Sequence, residues 1–174
     1  VKNRSNMLED QEIMKIYNKQ STHTTKHSSC GVIVPGIDTI AVSLANCCRP
    51  IPGDSIIGYI SKGQGVKVHR ADCPNIVNEK KRLIPVQWEE GLDEKQYEVN
   101  LIVHSDDRNY LLSDIVTTLQ QCNVYLKHVD SAVDDGNLEA TTKLTVSVKN
   151  AAHLQNLISN LKKVRSVNEV IRTI

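Results

Sequence analysis

The sequence predicts an α+β protein of two units. The first is a small unit of short strands bearing a cysteine and histidine cluster; the second has the ferredoxin-like order β-α-β-β-α-β. Three observations predict it. From residue 97 onward, alternating apolar residues give way to helical spacing in the order strand, helix, two strands, helix, strand. Residues 31–88 are short β-like runs cut by Pro and Gly corners. Between the two, "EEGLDEKQ" (89–96) is acidic, contains Gly91 and reads as a linker.

The elements follow in order. "MLEDQEIMKIYNK" sets Leu8, Ile13, Ile16 and Tyr17 near helical spacing, with acids early and lysines late, as a helix dipole prefers. "QSTHTTKHSS" (20–29) is polar and aperiodic, a linker in which His23 and His27 are solvated. Residues 1–30 thus read as the end of a preceding helical region plus a linker. The chain begins with Val and is expected to be a piece of a longer protein. "GVIVPGI" is an edge strand, because Pro35 cannot donate to a ladder. "DTIAVSLAN" is a strand or one helical turn capped by Asp38. "SIIGYIS" and "GVKVHR" form a hairpin across "KGQG". "CPNI" opens a helical turn with Pro74 first, and "RLIPVQW" is a strand ending at Trp88.

In the second unit (97–174), "YEVNLIVHS" puts Val99, Leu101 and Val103 on one face. "DRNYLLSDIVTTLQQCN" puts Leu111, Leu112, Ile115, Val116 and Leu119 on one helical stripe, with Asp107 as its cap. "VYLKHVDSAV" and "LEATTKLTVSVK" are strands joined by "DDGN", whose Asp-Gly signals a hairpin. "AAHLQNLISNLKKV" aligns Leu154, Leu157, Ile158 and Leu161, and "VNEVIRTI" is the last strand.

Composition bounds the function. The chain has 174 residues and no Phe, so its cores are built from Val, Ile and Leu. The net charge is +1 and decides nothing by itself, but residues 31–88 carry seven basic against four acidic residues, whereas 97–174 carry eight against nine. The first unit has the better claim to a polyanion. No apolar run approaches the roughly 18 residues of a membrane span. Five cysteines, three of them clustered beside a histidine, suit a reducing compartment, and the expected location is the cytoplasm.

Cys47, Cys48, His69 and Cys73 form the cluster. Three thiolates and one imidazole satisfy tetrahedral Zn2+, and a small unit gains from a metal staple. Adjacent Cys47 and Cys48 are its least zinc-like feature, since neighbouring side chains on an extended backbone point apart; Pro50 and Pro52 are expected to force a turn. Two other readings stand beside zinc: buried free thiols, and a redox switch using Cys47 and Cys48. Cys122 is expected in the core. No catalytic site is legible. His69 has no third group to orient it, and "GDSIIGYISKGQG" lacks the Gly-Lys-Ser/Thr ending of a phosphate loop.

The string "LANCCRPIPGDSIIGYISKGQGVKVHRADCPN" closely resembles the cysteine- and histidine-bearing zinc-finger-like (RIS) domain of long RelA/SpoT proteins, the (p)ppGpp synthetases and hydrolases of the stringent response. The likeness runs on into the β-α-β-β-α-β unit, which resembles that family's ACT domain, and so covers roughly residues 31–174. The resemblance implies a non-catalytic regulatory module of a GTP pyrophosphokinase or (p)ppGpp hydrolase. Its partners would be the ribosome, through ribosomal RNA, uncharged tRNA, and the catalytic domains of the same parent chain. Arg49, Lys62, Lys67 and Arg70 are the expected RNA-binding edge, with "SKGQG" as a projecting tip; phosphate contacts of this kind give affinity without reading sequence.

A second function is that of ACT domains which bind amino acids at the loop after the first strand. Asp107, Arg108, Asn109, Leu111 and Leu112 match the usual Asp-Arg-x-Gly-Leu-Leu pattern, but Tyr110 stands where the glycine would be. A tyrosine there either crowds a branched-chain ligand or needs an unusual dihedral. The bland reading makes Leu111 and Leu112 core. Base stacking in the manner of an RNA recognition motif is excluded, since only Tyr97 and Tyr125 offer rings. Edge strands of such sheets pair between chains, so a homodimer through the ACT domain is expected.

Overall fold

A computed structural model describes residues 29–37, 39–92 and 94–173. The expected N-terminal helix and linker, with His23 and His27, and the Asp38 cap lie outside these residues. The chain divides into two compact units after Leu92, with Ile51–Gly53 grouped with the second. Among the described residues no helix is long and apolar enough to cross a membrane.

The first unit holds a four-stranded sheet and a two-stranded ribbon. The ribbon pairs β1 (Val32–Ile33) with β6 (Gln87–Trp88), antiparallel. The sheet has the order β2-β4-β3-β5, from β2 (Val42–Leu44), β3 (Ile56–Ser61), β4 (Gly65–Arg70) and β5 (Leu83–Ile84). β2 runs parallel to β4, while β3 lies antiparallel to both β4 and β5. Val34, Ile37, Ile60, Val66 and Ile84 make the core, with Ile40, Val42 and Val86 against it.

Glycine is required at one corner of this sheet. Gly65 has φ +78°, and a Cβ there would strike the carbonyl oxygen of Ala41, whose acceptance of the Val66 N–H extends β2 along β4. Three sequence expectations are revised. "DTIAVSLAN" is a strand only over Val42–Leu44. "GVIVPGI" is a short strand and then a tight turn, closed by Ile37 N–H donating to Val34 O, with Pro35 and Gly36 (φ 80°) at its centre. "RLIPVQW" is not one strand: Pro85 interrupts it, and its halves enter different sheets as β5 and β6.

The second unit is the expected β-α-β-β-α-β fold. β7 (Tyr97–Asp106), α1 (Leu111–Gln121), β8 (Tyr125–Asp134), β9 (Glu139–Val148), α2 (Ala151–Lys162) and β10 (Val167–Arg172) build an antiparallel sheet of order β10-β7-β9-β8. Val99, Leu101 and Val103 from β7, with Leu144 and Val146 from β9, are buried together with Leu154, Leu157, Ile158 and Leu161 of α2.

Helix α1 buries Leu111, Ile115 and Leu119, spaced four apart, plus Thr118. Leu112 and Val116 are 41% and 40% exposed, which corrects the broader stripe: each sits about 100° further round the helix than the buried row. The cap is corrected too. Tyr110 holds the N-cap position in the left-handed region (φ 64°, ψ 12°) with no side-chain cap bond, so Asp107 does not cap the helix. The β8–β9 hairpin forms, but the positive φ falls on Leu138 (53°) rather than on Gly136, and Asp134 accepts hydrogen bonds from Gly136 N–H and Asn137 Nδ2. At the expected linker, Leu92 is buried.

Candidate metal centre

The β2–β4 pairing brings the cluster together. Its last bond, Ala45 N–H to Val68 O, fixes the start of the cysteine turn beside the end of β4. The chain then coils once: Arg49 N–H donates to Ala45 O at 3.1 Å, and Arg49 takes φ 41° before Pro50. Coiled backbone sets neighbouring side chains about 100° apart rather than on opposite faces. That is how adjacent Cys47 and Cys48 both reach one point. His69 comes from β4, opposite Ile57. Cys73 follows in a turn closed by its N–H on Arg70 O, and its own carbonyl accepts from Ile76 and Val77 N–H, the single turn expected at "CPNI".

The four ligand atoms lie within 4.8 Å of one another. Cys47 Sγ is 3.4 Å from His69 Nδ1 and 3.7 Å from Cys73 Sγ, and Cys48 Sγ is 3.8 Å from His69 Nδ1. Tetrahedral zinc, with Zn–S near 2.3 Å and Zn–N near 2.0–2.1 Å, sets its ligand atoms about 3.5–3.8 Å apart, so the spacing fits. Four protein ligands with no open position describe a structural rather than a catalytic site. Cys48 and Cys73 are buried in an apolar cluster with Ala45 and Ile76, while Cys47 and His69 are half-buried. Arg70 N–H donates to Cys48 Sγ at 3.3 Å, a contact of the kind that orients thiolate ligands.

The electrostatics differ across the set. Burial pushes the Cys48 thiol up to about 12, eased by the Arg70 N–H and worsened by the charges of Cys47 and Cys73. Burial also acts to raise Cys47, but hydrogen bonds from Asn75, Cys73 and Cys48 outweigh it and lower the thiol. Burial, then the Lys67 charge, lowers His69 and favours the neutral imidazole that a metal needs. Cys30 and Cys122 stand apart: Cys30 Sγ lies 3.7 Å from Val42 O, and Cys122 is buried, as expected. All five cysteines are free thiols.

The basic residues separate. Lys62 is exposed at the tip of the β3–β4 hairpin, and Lys67 is half-buried on β4 opposite Tyr59. Arg49 is half-buried in the cysteine turn. Arg70 is drawn into the fold: its side chain is 13% exposed, Nη2 pairs with Asp72 Oδ2 at 2.9 Å, and Nη1 is buried. Of the loop after β7, Asp107 N–H donates to Leu138 O and Asn109 is exposed. Arg108 donates to Asp114 Oδ2 at 2.6 Å and to Arg165 O at 3.0 Å. Tyr110 is 81% exposed, so its unusual dihedral carries the ring into solvent.

Comparison with known proteins gives the family. The family model described as the RelA/SpoT RIS domain matches residues 32–89, and that of the ACT domain matches 93–172. The chain is 33% identical over 172 residues to a GTP pyrophosphokinase of Haemophilus influenzae, covering 94% of this chain and 23% of that protein. It is 35% identical over 147 residues to a GTP pyrophosphokinase of Streptomyces coelicolor, covering 82% and 17%. Among solved structures, the ACT domain of a Chlorobium tepidum GTP pyrophosphokinase aligns at 23% identity and TM-score 0.41, covering 45% of this chain and 99% of that one. The chain thus spans less than a quarter of the length of these curated relatives. It belongs to the RelA/SpoT family and comprises that family's RIS and ACT domains.

Proposed function

We propose that this chain is the regulatory module of a (p)ppGpp-synthesising or -hydrolysing enzyme, coupling the state of the ribosome and uncharged tRNA to alarmone turnover and restraining the catalytic half of the same parent chain. Residues 31–88 and 97–174 are its two working domains, 89–96 their linker, and 1–30 the end of the preceding region. Its setting is the cytoplasm. The observation that carries the reading is the four-ligand cluster at the base of a lysine-tipped hairpin.

Cys47, Cys48, His69 and Cys73 hold Zn2+, which when bound cross-links the turn after β2, strand β4 and the turn after it. Without such a cross-link, a unit this small, with short strands and a small core, has little to hold its hairpin in place. Arg49, Lys62 and Lys67 then meet RNA phosphates, whereas Arg70, already paired with Asp72, supports the site from within. The ten-residue outer strand β8, exposed along most of its length, pairs with a second copy. The alternative reading, branched-chain amino-acid sensing at Asp107–Leu112, gains no support from an Arg108 already bound to Asp114 and Arg165. Ribosome co-sedimentation of the parent protein tests the proposal. Changing Arg49, Lys62 and Lys67 together to Glu is expected to weaken binding strongly and flatten the salt dependence of what remains; unchanged binding refutes the basic edge.

A further inference from the structure

We infer that Cys47 and Cys73 are an oxidation-sensitive pair: a peroxide joins them as a disulfide and thereby opens the metal centre. Three observations converge on this pair. Their sulfurs are 3.7 Å apart, already in contact, though the residues lie 26 positions apart in the chain. Cys47 is the half-exposed thiol of the cluster, whereas Cys48 and Cys73 are 1% and 0% exposed, so a small oxidant meets Cys47 first. Cys48 is the poorer second member. Its sulfur accepts the Arg70 N–H, and its Cα is held about 3.8 Å from that of Cys47 by the peptide bond, below the roughly 4.4 Å that disulfides need. The redox reading of the adjacent pair therefore moves to a pair that the fold, not the sequence, makes neighbours.

The chemistry balances in two steps. The Cys47 sulfur attacks the peroxide; the O–O bond breaks, sulfur is oxidised by two electrons to a sulfenic acid, and the other oxygen leaves as water or an alcohol. The Cys73 sulfur then attacks the sulfenic sulfur; the S–S bond forms, the S–O bond breaks, and hydroxide leaves as water with a proton taken from the Cys73 thiol, or from solvent where Cys73 is a metal-bound thiolate. Two thiols and one peroxide thus yield one disulfide and two leaving molecules. The disulfide removes two of four ligands, leaving Cys48 and His69, too few for tetrahedral zinc. The pairing of the thiols stands on geometry alone; the release of metal rests on the zinc proposal.

The test treats the folded chain with excess hydrogen peroxide and follows two readouts: peptide mass spectrometry with fragmentation, and zinc release to a chromophoric chelator. Arg70 separates the Cys73 peptide from the one that holds Cys47 and Cys48, so a cross-link appears as joined peptides about 2 Da lighter than their sum. The expected result is a Cys47–Cys73 link that forms in step with zinc release, persists in Cys48→Ala and is lost in Cys47→Ala. A Cys47–Cys48 bond, a link that survives Cys47→Ala, or thiols that stay reduced overturn the pair. Zinc retained after the link has formed overturns the opening of the centre. A chain isolated without zinc that still forms the link refutes the zinc proposal and leaves the pair standing.

Discussion

Tyr110 spends conformational energy that nothing in its surroundings recovers. It sits in the left-handed region with its ring in solvent and makes no side-chain cap bond, although its carbonyl accepts Asp114 N–H at 3.0 Å. Tyr110→Gly is therefore expected to stabilise the second unit by about 0.5–1 kcal/mol, the left-handed strain relieved less the extra entropy of glycine, as read by denaturant unfolding. A loss of stability would mean that the ring has a contact of value. The residue was legible in the sequence as an obstacle to a ligand; which of its two escapes it takes was not, because that depends on the turn the backbone makes. The same holds for Arg70. Its charge is visible in the sequence, but its pairing with Asp72 depends on the bend after β4.

At the scale of elements, a periodicity in the sequence marks an element but leaves its edges open. Leu154, Leu157, Ile158 and Leu161 all face the core from α2, because an i, i+3, i+4, i+7 pattern admits one buried face. In α1 the pairs Leu111–Leu112 and Ile115–Val116 are adjacent in sequence, and only the sheet beneath decides which of each pair is covered. Pro85 cannot donate to a ladder, and the break it makes in the expected strand assigns β5 and β6 to different sheets. Asn150 stands directly before an amphipathic run, a cap signal in the sequence, and its Oδ1 accepts His153 N–H at 2.8 Å. Asn150→Ala is expected to cost about 1 kcal/mol, with amide exchange in the first turn of α2 rising first. No change in either would remove the cap from the account of this helix.

Across the whole molecule, the two units are built on different principles. The second closes a continuous core between one sheet and two helices, and the alternation along its strands shows this in the sequence. The first has strands of two to six residues and a small core, and its remaining order is gathered around four side chains. The four members of the cluster can be named from the sequence, beside readings as buried thiols or a redox pair, and the fold brings their side chains together. The closure of the cluster was not legible, because it needs the coil at Arg49 and the parallel β2–β4 pairing that no local pattern announces. The proposed metal centre implies that only the first unit depends on metal. Chelation is expected to strip exchange protection from 42–77 while 97–172 keeps its own. Equal loss in both units would show that the cluster is not what orders the first.

The most direct test of the metal centre is elemental analysis of the purified chain alongside Cys73→Ser. About one zinc per wild-type chain and none in the variant is expected, with the second unit folded in both. A zinc-free chain whose first unit is nonetheless well folded would contradict the proposed centre.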